Sequence, residues 1–139
     1  MSSQTRLVAC VFGGHRTPET DIHYQEAALV SRYLAERNVH VRCGGYSGIM
    51  EATARGTRAG GGECEGIGLS SSDEIPNSFI APAGFRAASD IYRRLEEQIG
   101  GVSLFIIFPG GVGTLAELST LWAARILGEV PTDVQIVLI

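Results

Sequence analysis

No lysine occurs among the 139 residues, although there are eleven arginines. That absence rules out an internal Schiff base, and with it pyridoxal-phosphate chemistry resting on this chain's own lysine. It also rules out a Walker-type phosphate loop, whose pattern requires Gly-Lys-Ser/Thr. Any anion has to be met by arginine and by backbone N–H groups. Cysteine is scarce. Cys10, Cys43 and Cys64 are odd in number, widely spaced and without a CxxC pair, and they read as reduced core thiols. No metal site and no resident cofactor are expected. Positive charge is in deficit, with a net −4, which argues against a general nucleic-acid partner. No segment has the apolar length of a membrane span, and the first residues lack a signal-peptide pattern. No membrane partner and a cytoplasmic location are therefore the expectations.

Glycine is abundant by contrast, with 18 residues, and its placement organises the chain. The central stretch runs from Phe105 through Pro109-Gly110-Gly111-Val112-Gly113-Thr114 to Glu117. It reads as a buried apolar strand, a glycine turn and a helix whose apolar positions include Leu115, Leu118, Leu121, Trp122 and Ile126. Glycines let the backbone approach a ligand, and a first helical turn offers unpaired N–H groups to an anion. Thr114 adds a hydroxyl there. Glu117 puts a carboxylate close by, where it would repel a phosphate, so it is a candidate for chemistry or for holding ribose hydroxyls. The bland alternative is compensation of the helix dipole.

Taken in order, the chain alternates strand and helix. Strands are expected at Leu7–Phe12, Val39–Cys43, Glu63–Leu69, Val102–Phe108 and Val134–Ile139. Helices are expected over about Thr20–Arg37, from Ile49 to about Ala59, over Phe85–Ile99 and over Gly113–Leu127. Ser70–Gly84 reads as a long loop with one short strand near Asn77–Ala81. Continuous apolar strands bounded by glycine predict an α/β fold, a single domain over 1–139, with a parallel sheet covered by helices on both faces. The first, second and fourth of these strands end in Gly13-Gly14, Gly44-Gly45 and Gly110-Gly111, which points to one pocket beyond the carboxyl ends of the strands. The last strand is expected to be central and to finish at the terminus with no helix to cover it. A missing final helix or a second subunit is the expected explanation. The apolar surface around Trp122, with the Phe85–Ile99 helix, predicts packing on a second copy, a homodimer or higher homo-oligomer.

Two motifs resemble one family. Gly44-Gly45-Tyr46-Ser47-Gly48-Ile49-Met50-Glu51-Ala52 is similar to its first glycine motif, although Tyr46 stands where that motif has glycine. Pro109-Gly110-Gly111-Val112-Gly113-Thr114-Leu115-Ala116-Glu117 matches its PGG-x-GT-x-x-E motif at every fixed position. The family is that of the LONELY GUY-like proteins, long mislabelled lysine decarboxylases, with relatives that carry molybdenum cofactor. The resemblance implies a Rossmann-like fold and a bound nucleoside 5′-monophosphate. It further implies hydrolysis of the N-glycosidic bond to free base and ribose 5-phosphate, or alternatively a non-catalytic carrier or sensor of a phosphorylated ligand such as molybdenum cofactor. An Arg-Lys pair precedes the PGG motif in the enzymes. Arg94 stands at the arginine's place, but Leu95 follows it, with Arg93 the nearest other charge.

Hydrolysis at C1′ passes through an oxocarbenium-like state, which needs a carboxylate and a cationic grip on phosphate. The catalytic candidates are Glu117 and Arg94. The phosphate and nucleotide candidates are Gly110, Gly111, Val112, Gly113, Thr114, Gly44, Gly45, Ser47 and Gly14. Tyr46 and His15 are candidates for the proton donor. Competing structural readings pair Arg94 with Glu97 or Gln98, make Asp90 its i,i+4 partner, and leave Met50 in the core and His23 and His40 on the surface. A generic NAD(P) module is disfavoured, because Gly-x-Gly-x-x-Gly is absent after the first strand.

Overall fold

The structure, a computed structural model, describes residues 5–139. Six strands form one wholly parallel sheet: β1 (Val8–Phe12), β2 (His40–Cys43), β3 (Glu65–Leu69), β4 (Phe85–Ala88), β5 (Leu104–Ile107) and β6 (Gln135–Leu138). Their spatial order is β4-β3-β2-β1-β5-β6. Four helices connect them: α1 (Ile22–Glu36), α2 (Ile49–Ala59), α3 (Ile91–Ile99) and α4 (Val112–Ile126).

The strand sequences are apolar on both faces because both faces are covered. On one face Ala9, Val11, Val41 and Ile106 pack with Tyr24, Ala27 and Leu34 of α1 and Ile49 and Ala52 of α2. On the other, Cys10, Phe12, Phe105 and Ile107 pack with Leu121 of α4, with Ile99 of α3 against them. All three cysteines are buried free thiols. The chain moves outward from β1 to β4 on one side, then crosses to β5 on the other. The β1–β5 junction is therefore the point where the strand order reverses, where ligands of such sheets bind.

Three expectations fail here. Phe85–Ile99 is not one helix: its first four residues form β4, paired from Gly66↔Phe85 to Leu69↔Ala88. Asp90 then starts α3 by accepting a hydrogen bond from the Arg93 N–H at 2.9 Å, so Asp90 caps a helix and does not pair with Arg94. Phe85 is drawn to the sheet by the bare backbones of Gly66 and Gly68, whose missing side chains leave the room its ring occupies. The second failure is the short strand near Asn77–Ala81, which is a turn. Third, β6 is an edge strand and not a central one.

At the amino ends of the strands, Glu65 ties β2, β3 and β4 together. It accepts from His40 Nε2 at 2.7 Å, Arg42 Nε at 3.0 Å and Arg86. His40 is thus half-buried in a cluster, not a bystander on the surface. Arg42 turns its other nitrogen to the carbonyls of Glu97 and Gly100 at the end of α3. Burial of Glu65 opposes ionisation, but the three hydrogen bonds outweigh it and hold its pKa at about 2. A carboxyl lowered on folding stabilises above its unfolded pKa, and that stability is lost as pH falls through the folded one. Glu65→Gln is expected to cost about 3 kcal/mol at neutral pH. It should also remove the loss of stability between pH 4.5 and 2 seen by urea unfolding of the parent.

Candidate functional site

The turns that end β1, β2 and β5 are laced to one another by backbone hydrogen bonds. Gly14 N–H donates to the Pro109 carbonyl at 3.0 Å, joining the β1 and β5 turns. Ile49 N–H donates to the Gly14 carbonyl at 2.9 Å, joining the start of α2 to the β1 turn. This contact forces glycine at 48. Its φ is +66°, and a Cβ there would collide with the Gly14 carbonyl and with His15. Ser47 Oγ spends its proton on the His15 carbonyl at 2.8 Å.

Above these turns lies a cavity of about 180 Å³. Gly111, Gly113 and Thr114 line it at the start of α4, Gly44 at the end of β2, and Arg94 and Glu117 between α3 and α4. The remaining candidates stand beside the cavity. Gly14 and Gly110 build the turn beneath it, and the bare Gly110 leaves the room that the Thr114 hydroxyl occupies. Val112 projects outward, 86% exposed. Gly45 is covered by the Phe85 ring, and its carbonyl accepts from Asn77 N–H at 3.0 Å. The first turn of α4 contains no acidic side chain and no side-chain cap, so the N–H groups of Val112, Gly113 and Thr114 head a helix whose positive end is unmasked.

Arg94 crosses from α3 to the sheet. Its Nε donates to the Ile67 carbonyl at 2.8 Å and its Nη2 to the Gly44 carbonyl at 3.0 Å. Neither Glu97 nor Gln98 pairs with it. The absent side chain of Gly44 is what lets the guanidinium and the Met50 sulfur come this close. Two of five guanidinium donors' directions are used by carbonyls, which fixes the charge in place. Arg93, its neighbour, points outward to Glu96 at 3.2 Å.

Glu117 lies beyond the first turn of α4, too far in for dipole compensation to explain it. Burial raises its pKa to about 7, and the Arg94 charge only partly offsets that. A carboxyl poised there exchanges protons near neutrality. Tyr46 is buried against the same cavity, but its hydroxyl accepts from Leu69 N–H at 2.9 Å and reaches the Leu69 carbonyl at 3.3 Å. It is therefore a wall, while His15 also lines the cavity. Sequence reasoning missed the far wall, formed by Leu69, Ser72 and Glu74. The only signal was a polar loop following the third strand. Met50, expected in the core, reaches both core and cavity. Among the described residues, no group of three or more His, Cys, Asp or Glu side chains is gathered as a metal would require. No helix among them is long and apolar enough to cross a membrane.

A parallel sheet wrapped on both faces, with an uncapped helix N-terminus opening on a cavity at the point of strand reversal, defines a Rossmann-like α/β protein. The sequence signature of the SLOG cluster4 family matches residues 6–127, and the chain belongs to that family. It is 34% identical over 113 residues to a probable cytokinin riboside 5′-monophosphate phosphoribohydrolase of Oryza sativa subsp. japonica, covering 78% of this chain and 45% of the rice protein. It is 32% identical over 121 residues to the pyrimidine/purine nucleotide 5′-monophosphate nucleosidase of Escherichia coli K12, covering 81% of this chain and 26% of that protein. The chain thus spans about half the length, or less, of the curated relatives it matches. The molybdenum cofactor binding protein of Rippkaea orientalis superposes with a TM-score of 0.79 at 18% identity, covering 98% of this chain and 77% of that one. The molybdenum cofactor carrier protein of Chlamydomonas reinhardtii does so at 0.73 and 18%, covering 96% and 76%. These two likenesses are of fold.

The buried carboxyl has a consequence for stability. A carboxyl raised on folding makes ionisation cost stability, starting as pH rises past the unfolded value of 4.5 and complete above about 7. Glu117→Gln is expected to stabilise the protein at pH 8 by about 2 kcal/mol, less than the full shift because the residue keeps some contact with solvent. Thermal unfolding of parent and variant at pH 4 and pH 8 checks this: the gain should be absent at pH 4.

Proposed function

We propose that this protein binds a nucleoside 5′-monophosphate and hydrolyses its N-glycosidic bond, releasing free base and ribose 5-phosphate. The observation that carries the reading is the meeting of Glu117, poised at about pH 7, with Arg94 in one cavity headed by the N-terminus of α4. The names of the rice and E. coli relatives support it. The phosphate rests on the N–H groups of Val112, Gly113 and Thr114, with the Thr114 hydroxyl and Arg94 beside it. Glu117, as a carboxylate, steadies positive charge at C1′ and takes a proton from the attacking water. The water oxygen bonds to C1′, the C1′–N bond breaks, and the base leaves with its electron pair and gains a proton. His15 is the side chain in the cavity suited to deliver that proton. Gly14, Gly44, Gly45, Gly110, Gly111 and Ser47 act by setting the turns that hold these groups. No metal and no resident cofactor take part. The protein works in the cytoplasm, with neither nucleic acid nor membrane as partner.

A second reading is a carrier or sensor of a phosphorylated ligand, molybdenum cofactor among them. Leu95 favours it, since the enzymes this chain resembles have a second cation at that place. Incubation with AMP and with an N6-substituted adenine nucleotide decides between them. Free base and ribose 5-phosphate should appear, rising with pH through about 7 as Glu117 ionises. Glu117→Gln should lower the rate by about 100-fold or more. Nucleotide-dependent thermal stabilisation without release would leave the carrier.

The outer face of α4 supports a homodimer or higher oligomer. Val112, Leu115, Trp122 and Ile126 fall on one helical stripe and are 86%, 62%, 63% and 74% exposed, and Tyr92 of α3 is 79% exposed. Trp122→Arg should convert the oligomer to monomer by light scattering. A parent protein that is already monomeric would overturn this part of the reading.

A further inference from the structure

We infer that Glu74 reads the base, and that the site selects bases carrying an exocyclic amino group over those with a carbonyl in its place. The inference rests on the reading above that the start of α4 takes the phosphate.

The sheet order sets the axis of the ligand. From the turn after β5, where the phosphate lies, to the loop after β3 is three strand spacings, about 14 Å. The cavity runs along this edge, from Gly113 and Thr114 at one end to Ser72 and Glu74 at the other. Arg94, bonded to the Gly44 and Ile67 carbonyls at the ends of β2 and β3, and Glu117, further along α4, line the same cavity. A nucleotide with phosphate at α4 and C1′ beside Glu117 has its base pointing at Glu74. The reverse orientation is closed, because the Glu74 carboxylate would face the phosphate.

The loop holding Glu74 is built, not loose. Ser72 N–H donates to the Leu69 carbonyl at 3.1 Å, and Ser72 Oγ accepts from Glu74 N–H at 3.1 Å. Asn77 fastens the other side, donating from Nδ2 to the Tyr46 carbonyl at 2.8 Å and from its backbone to the Gly45 carbonyl at 3.0 Å. Glu74 thus sits between two anchors, the second of which joins the loop to the turn at the end of β2. Among the described residues it makes no ion pair. The enclosed volume, about 180 Å³, is below the usual ~300–1,000 Å³ of ligand pockets, so the outer edge of a base emerges at this exposed rim.

An ionised carboxylate is acceptor-only. An amino group donates to it. A carbonyl offers only lone pairs and leaves two acceptors facing each other, a mismatch that a polar site rejects. AMP against IMP and CMP against UMP differ in this group and in the ring nitrogen beside it, which is an acceptor in AMP and CMP and an N–H in IMP and UMP, so the selection requires Glu74 to face the exocyclic group rather than that nitrogen. The site should prefer AMP and CMP in each pair.

Binding of AMP, IMP, CMP and UMP is measured by calorimetry for the parent and for Glu74→Gln, alongside base release. The parent should bind AMP over IMP, and CMP over UMP, by about tenfold. Glu74→Gln should lose that preference, because its amide can turn a donor to the carbonyl. Its affinity for inorganic phosphate should not change. Equal affinities within each pair for the parent, or a preference unchanged in Glu74→Gln, would overturn the inference. Amino-selective binding without base release would uphold it and sink only the hydrolase reading. Selective binding with release unaffected by Glu117→Gln would also uphold it, while removing Glu117 from the mechanism.

Discussion

The hydrogen bond from Gly14 N–H to the Pro109 carbonyl is the constraint on which the site depends. It closes the gap where the sheet reverses order, between β1 and β5. With these turns joined, the start of α4 lines the same cavity as the end of β2. The Ile49 N–H bond to Gly14 draws α2 to the same point. Two helix N-termini thus converge over one turn.

Arg94 carries the cationic side of the site almost alone, and its geometry explains how one residue suffices. Its bonds to the carbonyls of Ile67 and Gly44 span β3 and the end of β2. The guanidinium is held by the sheet itself, so its conformational freedom is already restricted. It also sets the balance at Glu117. Burial drives that carboxyl upward and the arginine charge pulls it back, leaving it at about 7. A stronger ion pair would freeze Glu117 as a carboxylate, while no cation would keep it protonated. A second cation at Leu95 would shift the balance further toward the ionised form.

Much of the fold was legible because parallel strands buried on both faces read as continuous apolar runs, and the glycine pairs marked where three of them end. Phe85–Ala88 was not legible as a strand. Its reason for joining the sheet lies in Gly66 and Gly68, distant in sequence, which leave room for the Phe85 ring. Glu117, Arg94, Gly111, Gly113 and Thr114, singled out in the sequence, line one cavity, and strand–glycine–helix patterns are local enough to suggest most of that grouping. Ser47 and Gly45 were not separable from them, because whether a turn residue faces a cavity or a neighbouring turn depends on the partner turn. Tyr46 was visible as an anomaly in a glycine motif. Only its bonds to Leu69 show that it is a wall and not a proton donor.

Tyr46 also connects the two ends of the cavity. Its hydroxyl grips Leu69 at the end of β3, its ring stands edge-on to Phe85 with centroids 6.0 Å apart, and its carbonyl receives the Asn77 amide. The guanidinium of Arg94 lies 5.6 Å from the same ring centre. A glycine at this position would leave the Leu69 N–H without its partner and the arginine without its aromatic neighbour. The bulk that closes part of the cavity therefore braces the end of β3, from which the far wall starts. A carboxylate can discriminate between an amino group and a carbonyl only when it cannot move away from the wrong partner.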